Sequence, residues 1–152
     1  MSLILNENLE ELSYYKEGLN LLLGTFLAEG GSRKVYTCAL NPELVVKLAP
    51  FDPYSNRQES FIWNEAMWKP DVYKWLAPVV AISENGRILI QKRTTLLDHS
   101  KYPKKLPAFL ADTKYANYGM LDGKFVCHDY NITRICDVGL STKLVKVEWW
   151  GK

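Results

Sequence analysis

The chain has 152 residues, of which 47% are hydrophobic and 24% are charged, values that are ordinary for one globular domain with its own core. Its formal net charge of +2 is too small to indicate a nucleic acid or an anionic membrane surface as partner. No apolar run approaches the length of a membrane span, and the first residues lack the features of a signal peptide. We therefore expect one domain over residues 1–152, located in the cytoplasm, without a membrane or nucleic-acid partner.

The three cysteines, Cys38, Cys127 and Cys136, are odd in number and lack the CxxC spacing of many zinc sites. Cys38 and Cys127 lie in strand-like runs, where a free cysteine behaves as a small buried hydrophobe. The pattern indicates neither a disulfide framework nor a zinc site, and it suits a reducing compartment.

The first half of the chain is predicted to run in the order helix, strand, strand, helix. Apolar positions at helical or strand spacing predict a helix over 7–22, strands over 35–40 and 44–48, and a helix over 57–69. The first helix is expected to end near Gly24, and Pro70 ends the second. Residues 26–28 are predicted to lead into a turn at Gly30–Gly31.

The second half is predicted to contain two hairpins, a short helix and a strand-like tail. The predicted elements are a hairpin over 79–90, a helix over 103–112, a hairpin over 118–128 and a strand over 143–149. Asn85–Gly86 favours the positive φ angles of a type I′ turn, and Asp122–Gly123 is the turn signal of the second hairpin. This order of elements predicts an α+β fold with an antiparallel sheet.

Five polar residues stand in an order that suits phosphate chemistry: Lys47, Glu65, Asp112, Asn117 and Asp129. Lys47 closes an apolar strand, Glu65 lies on an amphipathic helix, and Asp129 follows an apolar run. Lysine, carboxylates and an amide are the groups that neutralise ATP phosphates and bind magnesium.

Each of these residues also has a purely structural explanation. A lysine at the end of a strand commonly extends to solvent, and most helices of this length carry a glutamate such as Glu65. Asp112–Asn117 could be an Asx-type loop and Asp129 a turn-initiating residue. The basic pair Arg33–Lys34 is more typical of a solvated face.

The segment Gly30–Gly31–Ser32 could approach phosphates, because glycine lets backbone N–H groups come close to oxygens. Against the pattern G-x-G-x-x-G-x-V, aligned on Val35, only the middle glycine position is matched, by Gly30. A hairpin turn is the alternative. His128 is more typical of a polar strand residue than of a catalytic base.

Together these segments resemble a compressed protein-kinase-like domain, a superfamily that includes aminoglycoside-phosphotransferase-like and lipopolysaccharide-kinase-like proteins. The resemblance covers about residues 22–131. It implies a small lobe built on an antiparallel sheet with helices, and a strongly reduced C-lobe because little chain follows Asp129.

The resemblance also implies a role for each polar residue, with ATP and Mg²⁺ as cofactors. Gly30, Gly31 and Ser32 would cover the phosphates, and Lys47 would hold them while paired with Glu65. Asp112 would act as catalytic base, with Lys114 beside the γ-phosphate. Asn117 and Asp129 would bind the metal.

The chain departs from the kinase pattern in two motifs. Leu110–Ala111–Asp112 stands where His-Arg-Asp is usual, and Tyr130–Asn131 replaces Phe-Gly after Asp129. No A-P-E motif follows. These losses put the phosphorylation of protein substrates in doubt more than nucleotide binding.

Three functions stay open. The retained polar positions favour a minimal Mg-ATP-dependent phosphotransferase. The truncation favours a pseudokinase-type module, of the phage or bacterial effector kind, that captures or inhibits a host protein in the host cytoplasm or forms a homodimer. In the third alternative the fold is an unrelated α+β domain and the polar set is coincidental.

Overall fold

The computed structural model describes residues 13–151, and these form an α+β fold built on a five-stranded antiparallel sheet. The sheet contains β1 (Leu23–Glu29), β2 (Lys34–Cys38), β3 (Leu44–Leu48), β4 (Val79–Ile82) and β5 (Ile88–Lys92). Its strand order is β1-β2-β3-β5-β4, so β3 is the central strand. None of the helices in residues 13–151 combines the length and apolar character that crossing a lipid bilayer requires.

Two small sheets and four helices complete the described chain. The antiparallel pairs are β6 (Lys105–Pro107) with β9 (Leu144–Lys146), and β7 (Tyr118–Leu121) with β8 (Lys124–Cys127). The helices are α1 (13–22), α2 (Tyr54–Ala66), α3 (Pro70–Tyr73) and α4 (Ile135–Val138), with 3₁₀ turns at His99–Lys101 and Tyr115–Asn117.

Helix α2 connects β3 to β4, packs against β4 and β5, and buries an unusual stripe of side chains. The buried positions recur at helical spacing, but the first half of the stripe is polar and only the second half is apolar. Asn56 and Glu59 lie in the polar half, and Ile62 and Ala66 join the hydrophobic core. The helix therefore contributes to two different environments along one face.

The hydrophobic core lies below this apolar end of α2, between the β7–β8 hairpin and the segment around β6. Its largest fully buried side chains are Ile62, Leu76, Leu106, Phe109 and Tyr130. Cys38 and Cys127 are buried free thiols, as predicted from their strand-like runs.

The predicted helix over 103–112 is wrong. Strand β6 and a turn occupy this segment, and residues 106–110 are all buried. Pro107 has no N–H for a helical hydrogen bond, while Leu106 pairs with Val145 of β9. A continuous apolar run of this length suits a buried strand as well as a helix, so periodicity alone did not separate them.

The first predicted helix is confirmed over 13–22, and its earlier part, 7–12, lies outside the described residues. The helix ends at residue 22, close to Gly24 as predicted, and β1 begins at Leu23. Helix α2 and strands β2, β3, β4 and β5 confirm the other predicted elements of the sheet region, with shifted ends. In the tail, β9 confirms the central part of the predicted strand.

The turn of the first hairpin differs from the predicted type, whereas the second hairpin turns at Asp122–Gly123 as predicted. Gly86 has a φ of 75°, but Asn85 has no positive φ, so this turn is not type I′. The side-chain oxygen of Asn85 instead accepts a hydrogen bond from the N–H of Arg87 at 3.0 Å. The type I′ turn lies in the second hairpin, where Asp122 and Gly123 have φ angles of 50° and 77°.

We predict that Gly123→Ala lowers the free energy of unfolding by about 1–2 kcal/mol, because an L side chain is strained at this φ. At this chain length the melting temperature should fall by about 2–4 °C for each kcal/mol. Gly31→Ala is the matched control, since a Cβ would meet open space at both positions and only Gly123 has a positive φ. Equal melting temperatures for the two variants would contradict the type I′ turn.

Candidate functional site

The side chain of Lys47 is buried in the centre of the molecule. It leaves β3 with 3% of its surface exposed, and its Nζ contacts Glu59 Oε1 and donates to the backbone oxygen of His128. Gln91 Nε2 donates to the same Glu59 oxygen at 3.0 Å. Burial lowers the pKa of Lys47, and the charge of Glu59 acts in the opposite direction.

The predicted pairing of Lys47 with Glu65 is wrong, because Glu59 is the partner. Residues six positions apart on a helix point about 120° away from each other, so both cannot face the sheet. Glu59 shares the buried face with Ile62, whereas Glu65 is exposed. The helical spacing of the buried stripe was the available signal, but a carboxylate on a core-facing stripe is uncommon.

Arg33 belongs to this site, and the sequence interpretation did not include it. Its guanidinium lies between two carboxylates, with Nη1 2.7 Å from Glu59 Oε2 and Nη2 2.6 Å from Asp129 Oδ1. Asn56 and Asn131 each accept a further hydrogen bond from it at 3.3 Å. Only 7% of Arg33 is exposed, so the predicted solvated face is wrong at this position.

These contacts define a network that we call the polar cluster: Ser32, Arg33, Lys47, Ser55, Asn56, Glu59, Gln91, Asp129 and Asn131. It joins the turn before β2, the central strand β3, the start of α2 and the segment after β8. Ser32 Oγ lies 2.9 Å from Ser55 Oγ, which brings the predicted phosphate turn onto the first turn of α2. Gly30 and Gly31 remain exposed beside it.

The β7–β8 hairpin brings Asn117 beside His128, the residue that precedes Asp129. Asn117 is buried, and its backbone oxygen accepts a hydrogen bond from the N–H of His128 at 2.8 Å. Asp112 Oδ1 accepts a hydrogen bond from the N–H of Lys114 at 3.3 Å. Burial raises the pKa of Tyr118, as do Cys127 and the charges of Asp112 and Asp129.

Lys114 points to another part of the molecule. Its Nζ lies 5.3 Å from the centroid of the Trp150 ring, in a cation–π contact. The loop itself is paired with the tail, since the N–H of Tyr115 donates to Trp150 O at 3.0 Å and the N–H of Trp150 donates to Thr113 O at 3.2 Å. The structure therefore places Lys114 against the tail and Asp112 near Tyr118.

The ring of His128 has a defined structural role. Nε2 lies 2.7 Å from the backbone oxygen of Ala116, so it carries the proton, and Nδ1, 2.7 Å from Thr94 Oγ1, accepts from that hydroxyl. The residue as a whole is half-buried. Burial, followed by the charge of Lys47, lowers the pKa of His128.

Asn117 and Asp129 do not fit Mg²⁺ as they are arranged. Magnesium is usually held by one or two carboxylates together with water and phosphate oxygens. Asp129 Oδ1 is already bound by the guanidinium of Arg33 at 2.6 Å, and a divalent cation there would meet that positive charge. Within residues 13–151, no group of three or more His, Cys, Asp or Glu residues could hold a metal ion.

Comparison of the chain with protein-family models, with curated proteins and with solved structures finds no match. The functional interpretation therefore depends on the geometry of the polar cluster and of the loop over residues 112–117.

We predict that Glu59→Gln is strongly destabilising, because it leaves Lys47 and Arg33 buried without their shared carboxylate. Breaking a buried ion pair in this way costs about 3–5 kcal/mol, to be measured by urea unfolding. Glu65→Gln is the matched control on the same helix, and an exposed substitution should change stability by no more than about 0.5 kcal/mol. Similar losses in the two variants would show that the pairing of Lys47 with Glu59 is not a structural requirement.

We predict that the protein loses stability on acidification through the titration of His128. Its pKa is lowered in the folded state, so below the ordinary value of about 6.5 the unfolded chain binds a proton that the folded chain does not. The free energy of unfolding should therefore decrease as the pH decreases through this window, by at most about 1.4 kcal/mol per pH unit for one proton.

This pH dependence is measured by urea unfolding between pH 8 and pH 5, a range of about one to two units on either side of the histidine value. His128→Gln should flatten the slope, whereas His99→Gln, at the exposed second histidine, should keep it. A slope unchanged in His128→Gln would assign the acid sensitivity to other groups.

Proposed function

We propose that the chain is a protein-kinase-like protein that binds ATP at the polar cluster. The observation that carries this proposal is the buried pair of Lys47 and Glu59 beneath Asp129. In protein kinases a lysine on the third strand is paired with a glutamate from the following helix, next to the aspartate of the D-F-G motif. Here Lys47 lies on β3 and Glu59 on α2.

The topology supports the proposal independently of these side chains. The small lobe of protein kinases is a five-stranded antiparallel sheet with one helix between the third and fourth strands, and α2 has that position here. The β7–β8 hairpin separates Asp112–Asn117 from Asp129, as a hairpin separates the catalytic loop from D-F-G. After Asp129 the described chain continues into α4 and β9.

The chain's own residues explain how phosphates could be bound. Lys47 is fixed by Glu59 and held against the start of the Asp129 segment, so its charge is preorganised. The exposed Gly30 and Gly31 have no side chains to keep an anion away from the backbone of the turn. The cluster contains equal numbers of cations and carboxylates, so a triphosphate would have to compete with Glu59 and Asp129 for the cations.

A second candidate is a pseudokinase-type module that acts by binding a partner protein, such as a host protein if the chain is a phage or effector protein. The position of Lys114 favours it, because this cation contacts Trp150 and its loop is paired with the tail. Phosphoryl transfer needs a cation beside the γ-phosphate, and Lys114 contacts Trp150 instead.

Transfer of labelled γ-phosphate from ATP with Mg²⁺ present, lost in Asp112→Ala, would favour the phosphotransferase.

We predict that ATP raises the melting temperature of the protein. A ligand present at about 100 times its dissociation constant stabilises by roughly 2.7 kcal/mol, which corresponds to about 5–10 °C here. Scanning fluorimetry checks this for ATP, ADP and adenosine, each with and without Mg²⁺. The shift should be lost in Lys47→Met and kept in Lys34→Met, since Lys34 is an exposed neighbour on β2.

The melting temperature of each ligand-free variant is measured first, so that a loss of folding in Lys47→Met is not mistaken for a loss of binding. If no nucleotide shifts the melting temperature of the unsubstituted protein under either condition, ATP binding is wrong and the partner-binding candidate takes its place.

A further inference from the structure

Arg33 neutralises the carboxylate that a metal ion would neutralise in a protein kinase. The D-F-G aspartate of kinases binds Mg²⁺, which in turn bridges the phosphates. In this chain Asp129 occupies the equivalent position in the sequence resemblance, and its Oδ1 is bound by Arg33 Nη2 at 2.6 Å. The guanidinium of Arg33 therefore supplies to Asp129 the positive charge that a bound metal ion supplies in a kinase.

The two arms of the guanidinium lie in different environments. The Nη1 arm contacts Glu59, which is fully buried, and this arm is enclosed between β3 and α2. The Nη2 arm contacts Asp129, whose side chain is 39% exposed. An anion from solvent therefore meets the Asp129 arm first, and it can compete with that carboxylate without breaking the inner pair.

Side chains attach the turn that carries Arg33 to α2 and to the carboxylates of the cluster, and backbone pairing of Lys34 holds its end to β1 and β3. Ser32 contacts Ser55, and Arg33 contacts the carboxylates, whereas the backbone N–H of Gly30 bonds only within the turn, to Arg33 O at 2.9 Å. A Cβ added at Gly30 or Gly31 would meet open space. No side chain of Gly30 or Gly31 therefore stands between solvent and the turn that carries Arg33.

We infer that Arg33 binds the phosphates of the nucleotide in addition to Lys47 and that it makes nucleotide binding independent of a divalent metal. The inference rests on the proposed ATP binding and specifies how the phosphates are held. The planar guanidinium offers paired N–H donors that suit phosphate oxygens as well as they suit a carboxylate. In the bound state, a phosphate replaces Asp129 on the Nη2 arm, and Glu59 keeps the Nη1 arm in place.

The decisive experiment measures ATP affinity by isothermal titration calorimetry in EDTA and again in Mg²⁺. We expect the two dissociation constants of the unsubstituted protein to agree within about threefold, which is less than 1 kcal/mol. Arg33→Ala should weaken ATP binding by about tenfold or more in EDTA, as expected for the loss of a charged hydrogen-bonding partner. Lys34→Ala, the exposed neighbouring cation, should leave the affinity unchanged.

Asp129→Asn is the second variant, and it separates the two modes of binding even if Arg33→Ala does not fold. It keeps the size of the side chain and removes the charge that competes with phosphate for Arg33. Binding through Arg33 predicts that ATP binds more tightly to Asp129→Asn in EDTA. Binding through a metal predicts the opposite, because the metal loses its carboxylate ligand.

Three results would overturn the inference. Binding of ATP only in Mg²⁺, lost in Asp129→Asn, would restore the metal-bridged mode and leave the proposed function intact. Tighter ATP binding by Arg33→Ala would show that Arg33 blocks the site. Absence of ATP binding under both conditions would overturn the proposed function together with this inference.

Discussion

The carboxylate of Glu59 is the constraint on which the rest of the structure depends. It is fully buried between the sheet and α2, where an unpaired charge would cost several kcal/mol. Lys47, Arg33 and Gln91 surround it, and each comes from a different strand or turn. Once this carboxylate is placed, the register of β3, the position of the turn before β2 and the orientation of α2 are tied to one another.

The same pairing joins the two halves of the described chain. Lys47 donates to the backbone oxygen of His128, and Arg33 binds Asp129, so the end of β8 is attached to the five-stranded sheet through charged groups. His128 is held in turn by Thr94 and Ala116. The polar cluster therefore has a structural role whatever it binds, and any ligand must use contacts that the fold can release. The exposed Asp129 arm meets that condition better than the enclosed Glu59 arm does.

Five aromatic side chains pack together in the second half of the chain. Tyr102, Tyr115, Tyr118, Phe125 and Trp149 form a cluster with ring centroids about 5–6 Å apart, a spacing typical of favourable ring pairs. The indole N–H of Trp149 donates to Pro103 O at 2.7 Å. This cluster brings the tail onto the loop over 112–117 and explains why Trp150 is close enough to contact Lys114.

Local patterns in the sequence were sufficient for most of the strands, for the long helix and for the position of Asn117 beside the residue that precedes Asp129. These features depend on residues that are near in the chain, such as the short apolar runs of β3 and β5 and the Asp122–Gly123 turn. The α+β class with an antiparallel sheet follows from them and is confirmed.

Only the tertiary structure decided which charges are paired. Arg33 is 96 residues from Asp129 in the chain, and no local pattern relates them. The choice of Glu59 over Glu65 depended on which face of α2 meets the sheet, and the strand at 105–107 depended on pairing with a tail far along the sequence. Ion pairs and strand pairs of this kind form between residues that folding brings together, so their energy cannot be read from the neighbouring sequence.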